Sequence, residues 1–353
     1  MSSQAAPPKA PMEHGAVTPE RIMQFAWGYA PPLIIEAAVR NGVFDALEDR
    51  PKTAAEVSAA TGASERGLTM IMNALIGLEL LLRNDEGRYS LTPESAAFLV
   101  SSKPSFLGGF YRHISSHLIP GWLHLEEVVR SGKPALRVDD KSDGAGFFEQ
   151  MVADIFPMSF GPAKIAAEAL EVTSVAAGMG GRPYRVLDIG AGSGAWGIAF
   201  AQASPHVAIT AVDWDNVLQI TQKIAAKFGL GDRLSCIPGN LRTVEFGTGY
   251  QAATIGHILH SEGAERSRQL LERVFAALAP GGSVVIGEFL VNPDRRGPLS
   301  GLIFGVNMLV NTTDGDTWSF EEIADWLRAC GYVNARTVDC RSHSPLILAY
   351  KPK

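Results

Sequence analysis

The residues best suited to chemistry lie in one run, Val186-Leu187-Asp188-Ile189-Gly190-Ala191-Gly192-Ser193-Gly194-Ala195-Trp196-Gly197. There an apolar strand runs into three alternating glycines and then a helix. Missing side chains let the backbone approach a ligand closely, and the first N–H groups of the helix carry the positive end of its dipole. A nucleotide-like ligand is expected at this loop. Gly192 to Gly197 also spells the G-x-G-x-x-G of dinucleotide binders, a weak signal by itself. Asp188, two residues before the first glycine, argues against a pyrophosphate, which its charge repels, and for a ligand carrying an ammonium group.

Two later strand ends extend the site. Asp213, 23 residues after Gly190, is placed to accept both hydroxyls of a ribose, and Trp214 offers a face to an adenine. In Pro238-Gly239-Asn240-Leu241 the amide of Asn240 suits the adenine edge. Ammonium, ribose and adenine together describe S-adenosylmethionine; the competing ligand is a nicotinamide dinucleotide. Elsewhere, Tyr111-Arg112-His113-Ile114-Ser115-Ser116-His117 puts two imidazoles at i and i+4, a spacing that can hold zinc. No Cys, Asp or Glu stands at matching spacing nearby, although His124 follows, so packing beside a pocket or a dimer contact is expected and no metal.

These residues need a scaffold. After Arg182 apolar strands alternate with amphipathic helices, which predicts a doubly wound α/β sheet. Seven strands are expected: Tyr184-Ile189, Ala208-Asp213, Leu234-Ile237, Ala252-Ile258, Ser283-Phe289, Asn334-Val338 and Pro345-Tyr350. Residues 19–102 read as mainly helical, with a helix through Ile34-Val39 and a turn into Gly42-Leu47. Thr53-Ala54-Ala55-Glu56 is a capping box, and Ser64 opens a further helix to about Leu82. Asn84-Asp85-Glu86-Gly87 then separates two short apolar stretches as a wing would, so this part is expected to be a winged helix. A DNA-reading helix carries several Arg or Lys, whereas Ser64 to Leu82 has only Arg66, beside Glu65 and Glu79. That surface is made for protein, a second copy of the chain. Residues 103–182, with helical segments Phe147-Phe156 and Pro162-Val172, read as a connector and cap over a domain at 183–353.

Composition narrows the classes further. The 353 residues are about twice the roughly 150 of one domain, and 46% apolar against 19% charged marks a folded chain. A net charge of -6 makes nucleic acid a poor partner. No apolar run approaches the roughly 18 to 20 residues that span a bilayer, and no basic-then-apolar leader opens the chain, so neither membrane insertion nor secretion is expected. Cys236, Cys330 and Cys340 show no C-x-x-C spacing and suit reduced thiols in a cytoplasmic protein. Residues 1–18, small, polar and Pro-rich, are expected to form a flexible tail.

The motifs Asp188-x-Gly190-x-Gly192-x-Gly194, Asp213, Gly239-Asn240, Ile258-Leu259-His260, Leu278-x-Pro280-Gly281-Gly282 and Ile286-Gly287-Glu288 carry a resemblance. From about residue 20 to 352 the chain resembles the class I S-adenosylmethionine-dependent O-methyltransferases with an N-terminal winged-helix dimerisation domain, the family of the plant caffeic acid and animal hydroxyindole enzymes. The resemblance implies a Rossmann-like seven-stranded sheet, a homodimer through the N-terminal domain, a small-molecule acceptor of secondary metabolism, and His260 as general base. In the family two acids hold that ring. Glu288 matches the first, and Asp316, in Asp314-Gly315-Asp316-Thr317 and across a one-residue gap, matches the second. The chain departs from the family at Ser261-Glu262, where an Asp-Trp or His-Phe pair is common, and at Asn240, where Asp is common.

The implied chemistry is consistent with these residue types. Methyl transfer from a sulfonium needs the nucleophile in line with the methyl–sulfur bond, and positioning supplies several of the roughly 7 to 11 kcal/mol available in ideal cases. A phenol, of pKa about 10, is protonated at pH 7, and a base that takes its proton contributes about 100- to 10,000-fold. Carboxylates on the other ring nitrogen fix the tautomer. Phe147, Met151, Phe156, Met158, Phe160, Phe304 and Met308, with Asn311, are expected to wall a flat, apolar acceptor slot. The expected activity is O-methylation of an aromatic or polyketide-like hydroxyl. Methylation at carbon or nitrogen on the same fold, and a ligand-sensing winged-helix regulator, are the alternatives.

Overall fold

The computed structural model describes residues 17–138, 147–149 and 151–353, so most of the expected tail lies outside the described residues. The first compact part contains α1 (Ala30–Arg40), α2 (Ala54–Thr61), α3 (Glu65–Gly77) and the antiparallel pair β1 (Leu81–Arg83) and β2 (Tyr89–Leu91). The capping box forms: Thr53 Oγ1 accepts from the Glu56 N–H, and the Glu56 carboxylate accepts from the Thr53 N–H. Gly62, in the left-handed region, ends α2 and Ser64 caps α3. That helix stops five residues before its expected end, because Glu79 turns left-handed and the chain leaves as the first strand of the wing. Val43, Phe44, Val57, Leu68, Met72 and Leu75 form the core of this part. Outside it, Ile22, Phe25 and Trp27 are 75%, 73% and 69% exposed.

A helical run follows: α4 (Gly108–His113), a π-helical turn at Ile114–Leu118, a last turn at Ile119–Trp122, and then α5 (Leu125–Ser131). Next, α6 (Phe156–Ala169) starts six residues before the expected Pro162, which lies inside it. Pro162 falls in its second turn, where it lacks the N–H that would bond back to the carbonyl of Met158.

The remainder alternates strand and helix: β3 (Tyr184–Ile189), α7 (Ala195–Ala203), β4 (Val207–Asp213), α8 (Asp215–Lys227), β5 (Leu234–Pro238), β6 (Tyr250–Gly256), α9 (Leu259–Ala277), β7 (Leu278–Gly287), α10 (Leu299–Asn311), α11 (Phe320–Ala329), β8 (Val333–Val338) and β9 (Leu346–Tyr350). Seven strands form one sheet in the order β5-β4-β3-β6-β7-β9-β8, parallel from β5 to β7 and antiparallel at β9 and β8. All seven expected strands are present. Two stop early: β6 ends at Gly256 and β7 at Gly287, so His257 and Glu288 fall just beyond the sheet. His257 has φ 63, a left-handed conformation that breaks the strand.

The parallel strands are covered on both faces, which is why they read as near-continuous apolar runs. Val186, Ile209, Ala252 and Val285 pack with Ile198, Phe200 and Ala166 on one side. Leu187, Ala253, Ile255 and Val284 pack with Leu270, Val274, Ile323 and Leu327 on the other. The chain moves outward from β3 to β4 and β5, then returns to β6 on the opposite side of β3. That reversal opens a crevice at the carboxyl ends of β3 and β6, where ligands of open α/β sheets bind. Among the described residues no helix is long and apolar enough to cross a membrane.

Candidate active site

At the end of β3 the backbone of Gly190, Gly192 and Gly194 takes φ values of 61, 55 and 76, the left-handed region where a side chain is strained. A Cβ at Gly190 would stand 2.3 Å from Ile258 Cδ1, so the loop packs directly on the segment that leads to His260. Beneath the loop Asp188 is 1% exposed. One of its oxygens accepts from Thr254 Oγ1 at 2.7 Å and the other from the Gly197 N–H at 2.9 Å. Burial outweighs both bonds and pushes its pKa up to about 7. The sequence places Asp188 against the ligand's ammonium; the structure instead puts it under the loop, tied to the first turn of α7.

Asp213, at the end of β4, accepts from the Gly192 N–H at 2.8 Å and the Trp214 N–H at 2.7 Å, and burial raises its pKa to about 6. Trp214 is half-buried beside it. The Gly239 N–H donates to the Asp213 carbonyl at 3.0 Å, which brings the end of β5 to the same crevice. Asn240 uses its side-chain oxygen within its own turn, accepting from the Arg242 N–H at 2.9 Å, and Leu241 packs against the sheet core. Sequence reasoning gave Trp196 no role. Its indole lies across the ends of β6 and β7, where a Cβ at Gly256 would be 2.0 Å from Nε1 and one at Gly287 2.8 Å from the ring. One buried and one half-buried acid, both raised in pKa, make this a cradle short of positive charge. A ligand bearing a sulfonium, an ammonium and a ribose fits it.

Across the crevice His260 opens α9. Its Nδ1 lies 2.7 Å from Glu288 Oε2, and its N–H donates to Glu288 Oε1 at 3.2 Å. The Phe289 N–H adds a third donor at 3.3 Å. Burial pushes the Glu288 carboxyl up, but the charge and hydrogen bond of His260, then the nearby His257, carry it below the usual range. An ionised carboxylate only accepts, so Nδ1 is the nitrogen that donates to Glu288, and in the neutral ring that leaves Nε2 as the acceptor. Phe304 of α10 meets the His260 ring edge-on at 4.9 Å and stacks on Phe289 at 3.7 Å.

Asp316 does not hold the ring. It is exposed, its carboxylate accepts from the Thr317 N–H, and the contact with His260 is made by its main chain, whose N–H donates to the His260 carbonyl at 2.9 Å. The Gly315 N–H donates to Thr312 Oγ1, and a Cβ at Gly305 of α10 would stand 3.5 Å from Asp316 Oδ1. The sequence gave no role to His257 either, three residues before His260. Burial lowers its pKa to about 4, its Nδ1 has no hydrogen-bond partner, and ligating atoms of His257, His260 and Glu288 lie within 4.8 Å of one another.

The expected acceptor wall is only partly assembled. Phe304 stands at His260, while Met308 and Asn311 are buried on the same helix. Asn311 Nδ2 donates to Asn307 Oδ1, which also accepts from Trp122 Nε1 at 2.9 Å. Phe147 lies edge-on to His113 at 4.7 Å and His117 at 5.7 Å, and those imidazoles stack at 5.0 Å. Burial lowers the pKa of His113 to about 4. Met151 is half-buried, a helical residue just before the turn that leads into α6. Phe156 and Phe160, by contrast, stack with Phe228 just past α8, and Met158 is 38% exposed. Phe156 and Phe160 seat α6 against the sheet domain, and the rings they stack with lie there and not at Phe304.

A sheet that reverses at β3 and β6, a glycine loop over one buried and one half-buried acid, and a histidine–carboxylate pair beside them define a class of protein: one that holds a nucleoside cofactor at the carboxyl ends of its parallel strands. Residues 122–333 match the O-methyltransferase domain family, and residues 23–101 match the O-methyltransferase dimerisation domain. The chain is 30% identical over 324 residues, 91% of each chain, to the 3-hydroxy-5-methyl-1-naphthoate 3-O-methyltransferase of Streptomyces sahachiroi. It is 25% identical to PigF from a Serratia species, solved with S-adenosylhomocysteine, with a TM-score of 0.74 over 95% of this chain and 100% of that one. Human N-acetylserotonin methyltransferase in complex with S-adenosylmethionine shares the fold, with a TM-score of 0.78 at 22% identity over 98% and 100% of the two chains. The chain belongs to the S-adenosylmethionine-dependent O-methyltransferases.

Proposed function

We propose that this methyltransferase acts on a hydroxyl of an aromatic or polyketide-like small molecule, with His260 as the general base. The observation that carries this reading is the 2.7 Å contact between His260 Nδ1 and a buried, ionised Glu288, which leaves Nε2 free to accept a proton beside Phe304. S-adenosylmethionine, when bound, supplies an electrophilic methyl on a sulfonium. Asp213 would hold its ribose, Trp214 its adenine, the Gly190–Gly194 loop and the Gly239-Asn240-Leu241 turn its flanks, and Asp188 would act from below through its charge. Phe304 and Met308 would orient a flat acceptor, with Phe147 and Met151 on the opposite side. In the transfer the acceptor oxygen would bond to the methyl carbon as the methyl–sulfur bond breaks and its electron pair stays on sulfur as a neutral thioether, while the acceptor's proton passes to His260 Nε2 and Glu288 steadies the imidazolium. The naphthoate-methylating relative supports a fused aromatic acceptor.

On this reading residues 19–102 dimerise, 103–182 cap the acceptor and 183–353 hold the cofactor. The exposed Ile22, Phe25 and Trp27 support a homodimer through the N-terminal part. Three cysteines without a disulfide support a reducing, cytoplasmic setting. The test is His260→Ala, incubated with methyl-labelled S-adenosylmethionine and a panel of hydroxynaphthoates and simpler phenols. Turnover is expected to fall about 100- to 10,000-fold with cofactor affinity, measured by calorimetry, intact. Unchanged turnover removes His260 from the chemistry.

A further inference from the structure

We propose that Glu262 is a positioning residue, the link that fixes the cofactor-side loop against the helix of the base; the inference rests on the reading of His260 given above. Glu262 lies in the first turn of α9, two residues after His260, and its side chain is only 12% exposed. Arg242 donates to it at two points, Nε to Oε2 at 3.0 Å and Nη2 to Oε1 at 3.4 Å. Arg266 Nε faces the same carboxylate at 3.3 Å, and Arg266 Nη1 reaches Asp314 Oδ2 at 2.8 Å.

Each of these partners belongs to a different piece of the site. Arg242 follows Asn240 in the loop after β5, whose Gly239 is bonded to Asp213. Asp314 lies in the loop whose Asp316 N–H donates to the His260 carbonyl. Farther along α9, Arg273 donates to the carbonyls of Leu241 and Val244 and lies 4.3 Å over the Phe246 ring. The helix that begins at His260 therefore holds the loop of Asn240 at two places, through Glu262 and Arg273, and the loop of Asp316 through Arg266. A break in that helix makes room: Gly263 has φ 72 and ψ 169, and a Cβ there would be 2.7 Å from the Asp314 carbonyl oxygen.

A planar guanidinium on a largely buried carboxylate at two points is a stiff, directional contact, unlike the usual solvent-exposed ion pair. The departure at Ser261-Glu262 thus has a physical role here: an ionic link replaces the aromatic residue common at the second position. The loop it restrains flanks the proposed adenine position and the helix it starts from carries the base, so cofactor affinity and base position become mutually dependent. Such coupling is reciprocal.

The test uses the full chain with Glu262→Gln, which keeps the shape of the side chain, Arg242→Met, the double variant and Arg242→Lys. Affinity for S-adenosylmethionine is read by calorimetry, folding by the melting temperature, and kcat and KM with a hydroxynaphthoate that the native chain methylates. The expected result is about tenfold weaker cofactor binding and a severalfold lower kcat in each of the first two variants, no further loss in the double variant, and only partial recovery in Arg242→Lys, which keeps the charge but not the two-point contact, at melting temperatures within a few degrees of the native chain. Cofactor affinity within twofold of native in Glu262→Gln, additive losses in the double variant, or losses that track the melting temperature would overturn the proposal. Should His260→Ala leave turnover unchanged, the base reading falls, while the cofactor-affinity arm still decides whether Glu262 holds the loop.

Discussion

Asp188 and Glu288 are carboxylates at the same edge of one sheet, 1% and 4% exposed, yet their charge states are set in opposite directions. Asp188 is pushed up to about 7, while Glu288 is held below the ordinary range. Burial works against ionisation in both. The difference lies in the partners: a hydroxyl and one amide N–H for Asp188, an imidazole that can carry charge for Glu288. The charge balance is completed at Glu288, beside His260, and left open at Asp188, beneath the glycine loop.

The comparison breaks most visibly at Glu288. Glu288→Gln keeps the size but removes the charge that fixes the tautomer, so kcat is expected to drop about 100-fold or more, with cofactor affinity within threefold of native. Equal losses of kcat and cofactor affinity would show that the two ends are not separate. A smaller effect is expected from pH. A cationic ligand favours ionised carboxylates, so affinity should rise with pH through the values of about 6 for Asp213 and about 7 for Asp188 and then level off. If ionised Asp188 is required, binding at pH 5.5 is about 30-fold weaker than at pH 8 by calorimetry, and a flat profile contradicts the contrast. The smallest change is Thr254→Val. It removes one hydrogen bond to Asp188 and should move the midpoint of that pH profile upward by about one unit, with kcat at pH 8 unchanged.

What could be read in the sequence was the part governed by short-range rules. The strand, the glycines and the helix start at 186–197 follow one another in the chain, and Asp213 and Glu288 lie at or just beyond strand ends that apolar runs announce. The capping box at Thr53 and Glu56 is equally local. For Asp316 spacing does not show that the bond to His260 is made by its main chain while its carboxylate accepts from the Thr317 N–H. Phe156 and Phe160 were misassigned because Pro162 reads as a helix start, whereas the helix begins earlier and turns those rings to Phe228. The Arg242–Glu262 contact spans 20 residues and two elements, and no periodicity points to it. His257 offered only its proximity to His260 in sequence.

The packing of Trp196 on the bare ends of β6 and β7 has an optical consequence. That indole is fixed in a dry niche, whereas Trp214, at the crevice rim, is partly open to water. Their emissions therefore differ in colour and in access to quenchers. An adenine laid on Trp214 would alter one part of the redder emission, to which the 69% exposed Trp27 also contributes, so Trp27→Phe would leave a cleaner reporter of cofactor arrival.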